Sequence, residues 1–402
     1  VAFSPFCGGD VFASAADDCK VCVWDLSKES EQQQTLLEGS HSHGAREVCF
    51  HPLVRNALVS TAADGDSILW DLEKSAIAKQ WKLTTASTGT SCLDWTYDGS
   101  LLLASCRDKT LRAVDLREDS RTCAFTAEPH AGSAKSFRAK FASVGGLGYV
   151  LSAGNPARKG GREVSVIDLR QPTKVLQTKT IDSQNGAMMP HFDEVTGILW
   201  LWGRGDTTVR HLEVRSSGEL LDLTAGHEFR ASGAGPHVGY AALPSRCMDA
   251  RGLQVAKFLR LTSTTVEGVS FAVPRTPELK TFFNDDVYAA EARTGEPSLE
   301  SCEAWLAGTD AGPPLTETMR PDGMPLLSEK PVEVQVLNTQ LVNEKIKVET
   351  QQKNDDHATY ARLTKLANTY EKYQPNGSMG GRKGVDAAVI DGGEVDDDEW
   401  DD

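Results

Sequence analysis

Residue types that could support catalysis by a serine nucleophile lie close together in the first fifth of the chain. They are His43, Ser60 or Thr61, and Asp64. A Ser-His-Asp triad also needs an oxyanion hole for the developing charge, and nothing in the sequence signals one. The same residues, together with Trp70, fit a hydrogen-bond network inside a sheet, because buried polar groups normally satisfy one another. We therefore predict that His43 belongs to a structural network and not to a triad.

Cysteines and glycines give no stronger sign of a reactive centre. Cys19 and Cys22 have the C-x-x-C spacing, but on a predicted strand side chains three residues apart point to opposite faces. No second C-x-x-C completes a zinc site, and nine cysteines without regular spacing are typical of a reducing compartment. Gly233, Gly235 and Gly239 are not followed by a helix and do not form a nucleotide loop. The sequence thus predicts no enzyme, no metal and no cofactor.

The elements that position these residues are copies of one repeated unit. An aspartate precedes a strand residue by six positions in four places: Asp18 and Trp24, Asp64 and Trp70, Asp108 and Val114, Asp206 and Leu212. With a further copy ending at Ile167, the steps between copies are 46, 44, 53 and 45 residues. This spacing is typical of the four-stranded blades of a propeller. Each aspartate falls in a predicted tight turn, where its side chain can accept backbone N–H groups.

Charge is concentrated at one end of the chain. The formal net charge is −15, and residues 391 to 402 alone contain eight acids and no base. No run of apolar residues is long enough to span a membrane. The rest of the chain is also net negative and has no stripe of basic and aromatic residues, so the sequence does not favour nucleic-acid binding.

Several sequence strings resemble the coronin family of WD-repeat proteins. They are Val11-Phe12-Ala13-Ser14, Asp182-Ser183-Gln184-Asn185-Gly186, Gly203-Arg204-Gly205-Asp206, Val273-Pro274-Arg275, Phe283-Asn284-Asp285-Asp286-Val287-Tyr288 and Glu303-Ala304-Trp305-Leu306-Ala307-Gly308. The resemblance implies an all-β fold, a seven-bladed WD-repeat β-propeller over residues 1–275. About six blades are visible, so we expect the first blade to be missing. It also implies that residues 276–331 form an extended strap whose aromatic residues pack on the propeller.

A basic loop interrupts the fourth repeat. It contains Arg158, Lys159 and Arg162. These side chains could contact an acidic partner such as actin or a phosphoinositide headgroup, and the alternative is a solvated hairpin. In the fifth repeat, Arg204-Gly205-Asp206 spells an integrin-type tripeptide, but the repeat itself requires Asp206 at this turn. We therefore predict a structural role for Asp206.

Residues 332–374 have a helical pattern but not a sustained heptad repeat. Glu344 and Asp355 fall on the seam of a possible coiled coil, so the sequence does not predict a strong homotypic coiled coil. Leu363, Leu366 and Tyr370 share one face of a short amphipathic helix. This face is a candidate partner-binding surface.

Residues 375–402 comprise a glycine-rich linker and an acidic tail that we expect to be disordered. The chain ends in Asp396, Asp397, Asp398, Glu399, Trp400, Asp401 and Asp402. The order of amphipathic helix, basic linker and acid-tryptophan terminus resembles the segments with which nucleation-promoting factors bind the actin-related protein complex. A bland solvating tail is the alternative. The same ending also resembles the C-terminal half of the tandem-propeller coronins.

These features predict a cytoplasmic scaffold of the actin cytoskeleton. The propeller would bind actin filaments, and the tail would bind the actin-related protein complex that nucleates branched filaments. The alternative, implied by the tandem-propeller coronins, is a scaffold in Golgi and vesicle traffic.

Overall fold

The fold comes from a computed structural model of the chain. The structure describes residues 1–29, 34–37, 39, 41–83, 89–118, 123–130, 132, 135–156, 160–217, 220–226, 228–230 and 235–329. These residues belong to one compact unit, Val1–Lys330.

The described residues form six successive antiparallel sheets, each of which is one blade. Blade 1 contains β1 (Ala2–Phe3), β2 (Val11–Ala15), β3 (Val21–Asp25) and β4 (Gln34–Leu36). Blade 2 contains β5 (Ala45–Phe50), β6 (Ala57–Ala62), β7 (Asp66–Asp71) and β8 (Ala76–Lys82). Blade 3 contains β9 (Thr90–Trp95), β10 (Leu102–Cys106), β11 (Leu111–Val114) and β12 (Phe125–Ala127).

The second half of the propeller continues in the same way, with changes at its end. Blade 4 contains β13 (Arg138–Val144), β14 (Leu147–Gly154), β15 (Arg162–Asp168) and β16 (Val175–Asp182). Blade 5 contains β17 (Met188–Asp193), β18 (Ile198–Gly203), β19 (Thr208–Ser217) and β20 (Leu220–Ala225), with β21 (Phe229–Arg230) also paired to β19. Blade 6 has three strands, β22 (Gly239–Ala242), β23 (Gln254–Leu261) and β24 (Val266–Ala272).

The turn between the second and third strands of a blade is held by the predicted aspartate. The carboxylates of Asp18, Asp64 and Asp108 each accept the backbone N–H two residues later, at 3.1 Å. This bond satisfies a backbone N–H group of the turn that has no partner in the hydrogen-bond ladder between the strands. Cys19 lies in the first of these turns with φ of 69°, and not on a strand as expected.

Hydrophobic residues are buried mainly between neighbouring blades. One such cluster joins blades 1 and 2 around Ala13, Phe50 and Trp70, and another joins blades 4 and 5 around Tyr149 and Leu199. A blade therefore depends on its neighbours to cover its two faces.

The first and last blades keep an exposed apolar face. Phe12 stacks on Trp24 at 5.8 Å between ring centroids, and Phe3 beside them is 58% exposed. On blade 6, Leu259 and Leu261 are exposed in the same way. Six blades agree with those visible in the sequence, and the described residues do not form a seventh.

After blade 6 the chain forms the strap, residues 276–329. It contains β25 (Glu291–Arg293), paired to β26 (Thr316–Thr318), and a one-turn helix α1 (Cys302–Leu306). Short 3-10 turns occur at Cys7–Gly9, Ser245–Cys247 and Leu279–Thr281. Three strap aromatics are almost fully buried against the blades, as expected from the resemblance: Phe283, Tyr288 and Trp305.

Candidate protein-binding surface

The suspected triad residues form a structural network in which His41 takes the place expected for His43. The Ser60 hydroxyl accepts the Trp70 indole N–H at 2.8 Å and lies 2.8 Å from Nε2 of His41. All three side chains are buried, and burial lowers the pKa of His41. His43 is instead exposed, with its Nδ1 2.9 Å from the carboxylate of Asp64. The prediction that His43 joins the buried network is therefore wrong.

The same kind of network recurs in other blades with different partners. In blade 1 the Trp24 indole donates to Ser14 at 2.8 Å. In blade 4 the ring of His130 lies 2.9 Å from the Ser152 hydroxyl and 2.8 Å from the carboxylate of Glu163. Their repetition shows that these groups satisfy one another inside the sheets.

Arg162 is part of a buried ion cluster between blades 4 and 5. Its guanidinium is 1% exposed, donates to Asp182 at 2.9 Å and lies 2.6 Å from Asp206. Arg210 joins the cluster, 2.9 Å from the Asp182 carboxylate. These carboxylates raise the pKa of Arg162 despite its burial, which opposes its charge.

The cluster corrects one prediction and leaves two untested. Arg162 does not contact an outside partner from a solvated loop, because its charge is already satisfied inside the protein. Asp206 of the Arg-Gly-Asp string is buried and ion-paired, in keeping with its predicted structural role. Arg158 and Lys159 lie outside the described residues, and their contact with actin or a phosphoinositide stays a prediction.

Exposed basic side chains cluster on blades 3 to 5, at the end of the propeller formed by the turns between second and third strands. Arg107 and Lys109 lie in the blade 3 turn on either side of Asp108, and Arg204 lies in the corresponding turn of blade 5. Lys135 precedes the first strand of blade 4 and donates to the backbone oxygen of Asn185 at 2.6 Å. We call Arg107, Lys109, Lys135 and Arg204 the basic surface.

The turn residues of the basic surface carry exposed positive charge. Within the described ranges, Arg107, Lys109 and Arg204 form no ion pair. The equivalent turns of blades 1 and 2 have the opposite character, because they contain Asp17, Asp18 and Asp64, and Asp66 follows at the start of β7. This end of the propeller is thus electrostatically asymmetric, as a surface that orients a charged partner requires.

The central channel beneath this end is lined by charges that are paired with one another. The Lys140 ammonium donates to Asp94 at 2.9 Å, beside a cavity of about 310 Å³. Burial opposes the charge of Lys140, but the Asp94 carboxylate outweighs it and raises the pKa of this lysine. Burial also raises the pKa of Glu47, and Arg138 at 4.0 Å partly offsets that effect. These internal pairs leave the exposed rim, and not the channel, to attract a partner.

The opposite end of the channel is covered by the strap. Arg293 of β25 lies over the Tyr97 ring at 4.1 Å, and its Nε is 3.2 Å from the Glu194 carboxylate. Trp305 inserts between blades 2 and 3, where it contacts His51 and Trp95. A partner that approaches from this side would meet the strap, which favours the basic surface as the accessible binding face.

The described ranges contain no cluster of side chains suited to a metal ion, and no helix there is long and apolar enough to cross a membrane. The tail lies outside the described residues. This applies to the amphipathic residues Leu363, Leu366 and Tyr370 and to the terminal run from Asp396 to Asp402, including Trp400.

The basic surface was not predicted from the sequence, although a signal for it is present there. The turn aspartates of blades 3 and 5 have basic neighbours in Arg107-Asp108-Lys109 and Arg204-Gly205-Asp206, whereas the turns of blades 1 and 2 are rich in acids. Comparing equivalent turns, instead of searching for basic runs along the chain, would have revealed the asymmetry.

Comparisons with known proteins agree with the blades and the strap. Residues 79–115 match the family described as WD domain, G-beta repeat. This range begins in the outer strand of blade 2 and extends through the first three strands of blade 3. A crystal structure of the WD40 domain from Toxoplasma gondii coronin superposes with a TM-score of 0.68, at 25% identity, and covers 79% of each chain.

Curated relatives extend the similarity across the chain. Coronin-A of Dictyostelium discoideum is 32% identical over 323 residues, which is 78% of this chain and 67% of that protein. Mouse coronin-7 is 28% identical over 97% of this chain, and human coronin-2A is 26% identical over 83%. The chain spans 40% of the length of coronin-7 and 62% of that of coronin-2A.

Proposed function

The chain belongs to the coronin family, and on that premise we propose that it is a non-enzymatic scaffold that binds actin filaments through the basic surface. The observation that carries this proposal is the set of exposed basic side chains in the turns of blades 3 and 5, Arg107, Lys109 and Arg204, which form no ion pair within the described residues. Actin filaments are acidic, so such a surface attracts and orients them. In this role the protein organises filaments and regulates their turnover in the cytoplasm.

Electrostatic contacts of exposed side chains are individually weak, so several must act together. A single exposed pair contributes about 0.2–1 kcal/mol. Reversing a charge both removes an attraction and adds a repulsion, so two reversals on the basic surface should weaken binding by about tenfold, or about 1.4 kcal/mol.

Co-sedimentation with actin filaments tests this expectation. We would compare the unmodified chain with an Arg107→Glu, Arg204→Glu double variant at an ionic strength of about 0.15 M, where screening is physiological. The matched control is the double variant Lys174→Glu, Arg251→Glu, since both residues are exposed, form no ion pair within the described residues, and lie at the opposite end of the propeller, Lys174 between β15 and β16 and Arg251 between β22 and β23. Equal weakening by both double variants, or by neither, would contradict the assignment of the basic surface.

We also propose that the acid-tryptophan terminus binds the actin-related protein complex that nucleates branched filaments. The acids supply long-range attraction, screened beyond about 8 Å at physiological salt. Trp400 supplies the anchor, because an aromatic ring buried in a partner pocket is commonly worth about 2–4 kcal/mol. The face formed by Leu363, Leu366 and Tyr370 adds an apolar contact.

Binding of the full chain to the purified complex tests the tail. We expect Trp400→Ala to weaken binding by at least about tenfold, and Trp400→Phe, which keeps an apolar ring, to weaken it less. Asp397→Asn tests the charge alone and should lower affinity chiefly at low salt. If Trp400→Ala and the unmodified chain bind equally, the tail is only a solvating charge run.

A second candidate function is a scaffold in Golgi and vesicle traffic. Its support is that the alignment with coronin-7 includes 97% of this chain but only 40% of that relative, as expected for one half of a tandem-propeller protein. Fluorescence imaging of the tagged protein distinguishes the two roles. Co-localisation with Golgi membranes that persists after filament depolymerisation would favour traffic, and redistribution with the filaments would favour the actin role.

A further inference from the structure

Two hydroxyl residues of the sequence directly precede a proline, and the structure distinguishes between them. They are Ser4, before Pro5, and Thr276, before Pro277. Ser4 is buried, and its hydroxyl accepts the backbone N–H of Phe6 at 3.2 Å. Thr276 is exposed. Only Thr276 therefore offers an accessible acceptor to a protein kinase that requires proline at the next position.

Thr276 occupies the junction between the propeller and the strap. Its carbonyl oxygen accepts the backbone N–H groups of Leu279 and Lys280, at 3.1 and 3.2 Å, and so shapes the turn with which the strap begins. Within the described residues its hydroxyl makes no hydrogen bond. A group added to this hydroxyl would not displace an existing side-chain contact.

A phosphate added to Thr276 would compete with the carboxylate of Asp286 for the guanidinium of Arg275. The guanidinium of Arg275 is bonded to the carboxylate of Asp286 in the strap. A phosphothreonine carries about −1.5 to −2 charges at neutral pH and three strong acceptor oxygens. Phosphate is a stronger partner for arginine than one carboxylate oxygen, and Lys280 lies in the same turn.

We propose that Thr276 is a phosphorylation site for a proline-directed protein kinase, and that its phosphate loosens the strap by drawing Arg275 away from Asp286. In the transfer, the Thr276 oxygen bonds to the γ-phosphorus of Mg-ATP and the bond from that phosphorus to the ADP oxygen breaks. The hydroxyl proton passes to the catalytic base of the kinase. This chain supplies only the acceptor and the residues that respond to the new charge.

The response is confined to the start of the strap. Phe283 and Tyr288 remain buried against blade 6, so the strap stays attached through its aromatic residues. The segment between Phe283 and Tyr288 contains Asp286. It forms a turn in which the backbone N–H groups of Val287 and Tyr288 donate to the backbone oxygen of Asn284, at 3.0 and 3.1 Å. These two amides report on the loss of the Arg275 contact.

The first part of the test is phosphorylation of the folded full chain by a proline-directed kinase with Mg-ATP, mapped by mass spectrometry. We expect one phosphate, on Thr276. It should be absent in Thr276→Val, strongly reduced in Pro277→Ala, and unchanged in Ser4→Ala. A folded chain that accepts no phosphate at Thr276, or that accepts it equally well without Pro277, overturns the assignment of the site.

The second part is hydrogen exchange at Val287 and Tyr288, before and after phosphorylation. We expect exchange to become about two- to fivefold faster, the range that corresponds to losing one exposed ion pair. Arg275→Gln should produce the same increase without phosphate, and phosphorylation of that variant should add nothing further. Unchanged exchange after stoichiometric phosphorylation, or additive effects in Arg275→Gln, overturns the proposed coupling to the strap.

Discussion

Acidification should destabilise the protein through one buried imidazole, His51, whose bonds require the neutral ring. Its Nδ1 accepts the backbone N–H groups of Leu53 and Val54, at 3.1 and 3.0 Å, so this nitrogen carries no proton. Its Nε2 donates to the carbonyl of Gly99 in blade 3 at 3.0 Å. Gly99 has φ of +66°, and a Cβ there would lie 2.4 Å from the His51 ring. The imidazole thus links blades 2 and 3 in a space with no room for rearrangement.

The size of the effect follows from the pKa. Burial lowers the pKa of His51 from its ordinary value of 6.5 to about 4; the bond to Gly99 and the charge of Asp98 act in the opposite direction, and Arg117 lowers the pKa further. The unfolded chain therefore takes up a proton at a higher pH than the folded protein. The stabilising contribution is fully present above about pH 6.5 and is lost as the pH falls towards 4. Between about pH 7 and pH 4 it amounts to about 3 kcal/mol.

Urea unfolding at a series of pH values measures this contribution as a difference between variants. In His51→Asn the amide oxygen can still accept the two backbone N–H groups, but the side chain does not titrate. We expect its free energy of unfolding to fall by about 3 kcal/mol less than that of the unmodified protein over this pH range. His51→Asn also removes the bond to Gly99, so the variant starts less stable. This loss is the same at every pH and does not affect the comparison of the slopes of stability against pH.

The matched control is His51→Gln, a second variant whose side chain does not titrate. Its pH dependence should follow that of His51→Asn. Parallel curves for His51→Asn and the unmodified protein would refute the reasoning, because they would mean that the buried imidazole is protonated as readily in the folded as in the unfolded state.

Two further predictions concern side chains that are almost fully buried. Arg162→Ala leaves the carboxylates of Asp182 and Asp206 without their main partner and should lower the free energy of unfolding by about 3–5 kcal/mol. Denaturant unfolding measures this loss. A change below about 1 kcal/mol would mean that water already screens the ion cluster. Trp305→Ala removes an aromatic ring that is 1% exposed and should cost about 3–5 kcal/mol. In limited proteolysis, cleavage within the strap should then precede cleavage of the blades, and unchanged cleavage would contradict the anchoring role of Trp305.

The blades were predictable because their signals are local. An aspartate in a tight turn and an alternating strand lie within one short segment, so the pattern from Asp18 to Trp24 contains most of the information about a hairpin. The same local pattern predicted the turns of Asp64 and Asp108. Burial of Phe283, Tyr288 and Trp305 was expected from the coronin resemblance, since an extended segment with isolated aromatics needs a surface on which to pack.

The partners of buried polar groups were less predictable, because they depend on distances between segments that are remote in sequence. His41 and His43 are two residues apart, and only the path of the loop determines which ring reaches Ser60. Arg162 looked like part of a basic loop because its neighbours in sequence are Arg158 and Lys159. Its partners Asp182 and Asp206 lie 20 and 44 positions further along the chain, and no local pattern connects them to it.

Departures from the repeat are of two kinds, and only one of them indicates function. In blade 4, Gly161 replaces the turn aspartate, and Arg162 beside it is neutralised by the carboxylates of Asp182 and Asp206. That departure is compensated within the protein and serves stability. In blades 3 and 5, Arg107, Lys109 and Arg204 also depart from the acidic turns of blades 1 and 2, but these charges remain exposed and without an ion pair among the described residues. A stable fold gains nothing from exposed like charges that it does not pair on blades 3 and 5, and this supports our proposal that they face a partner of opposite charge.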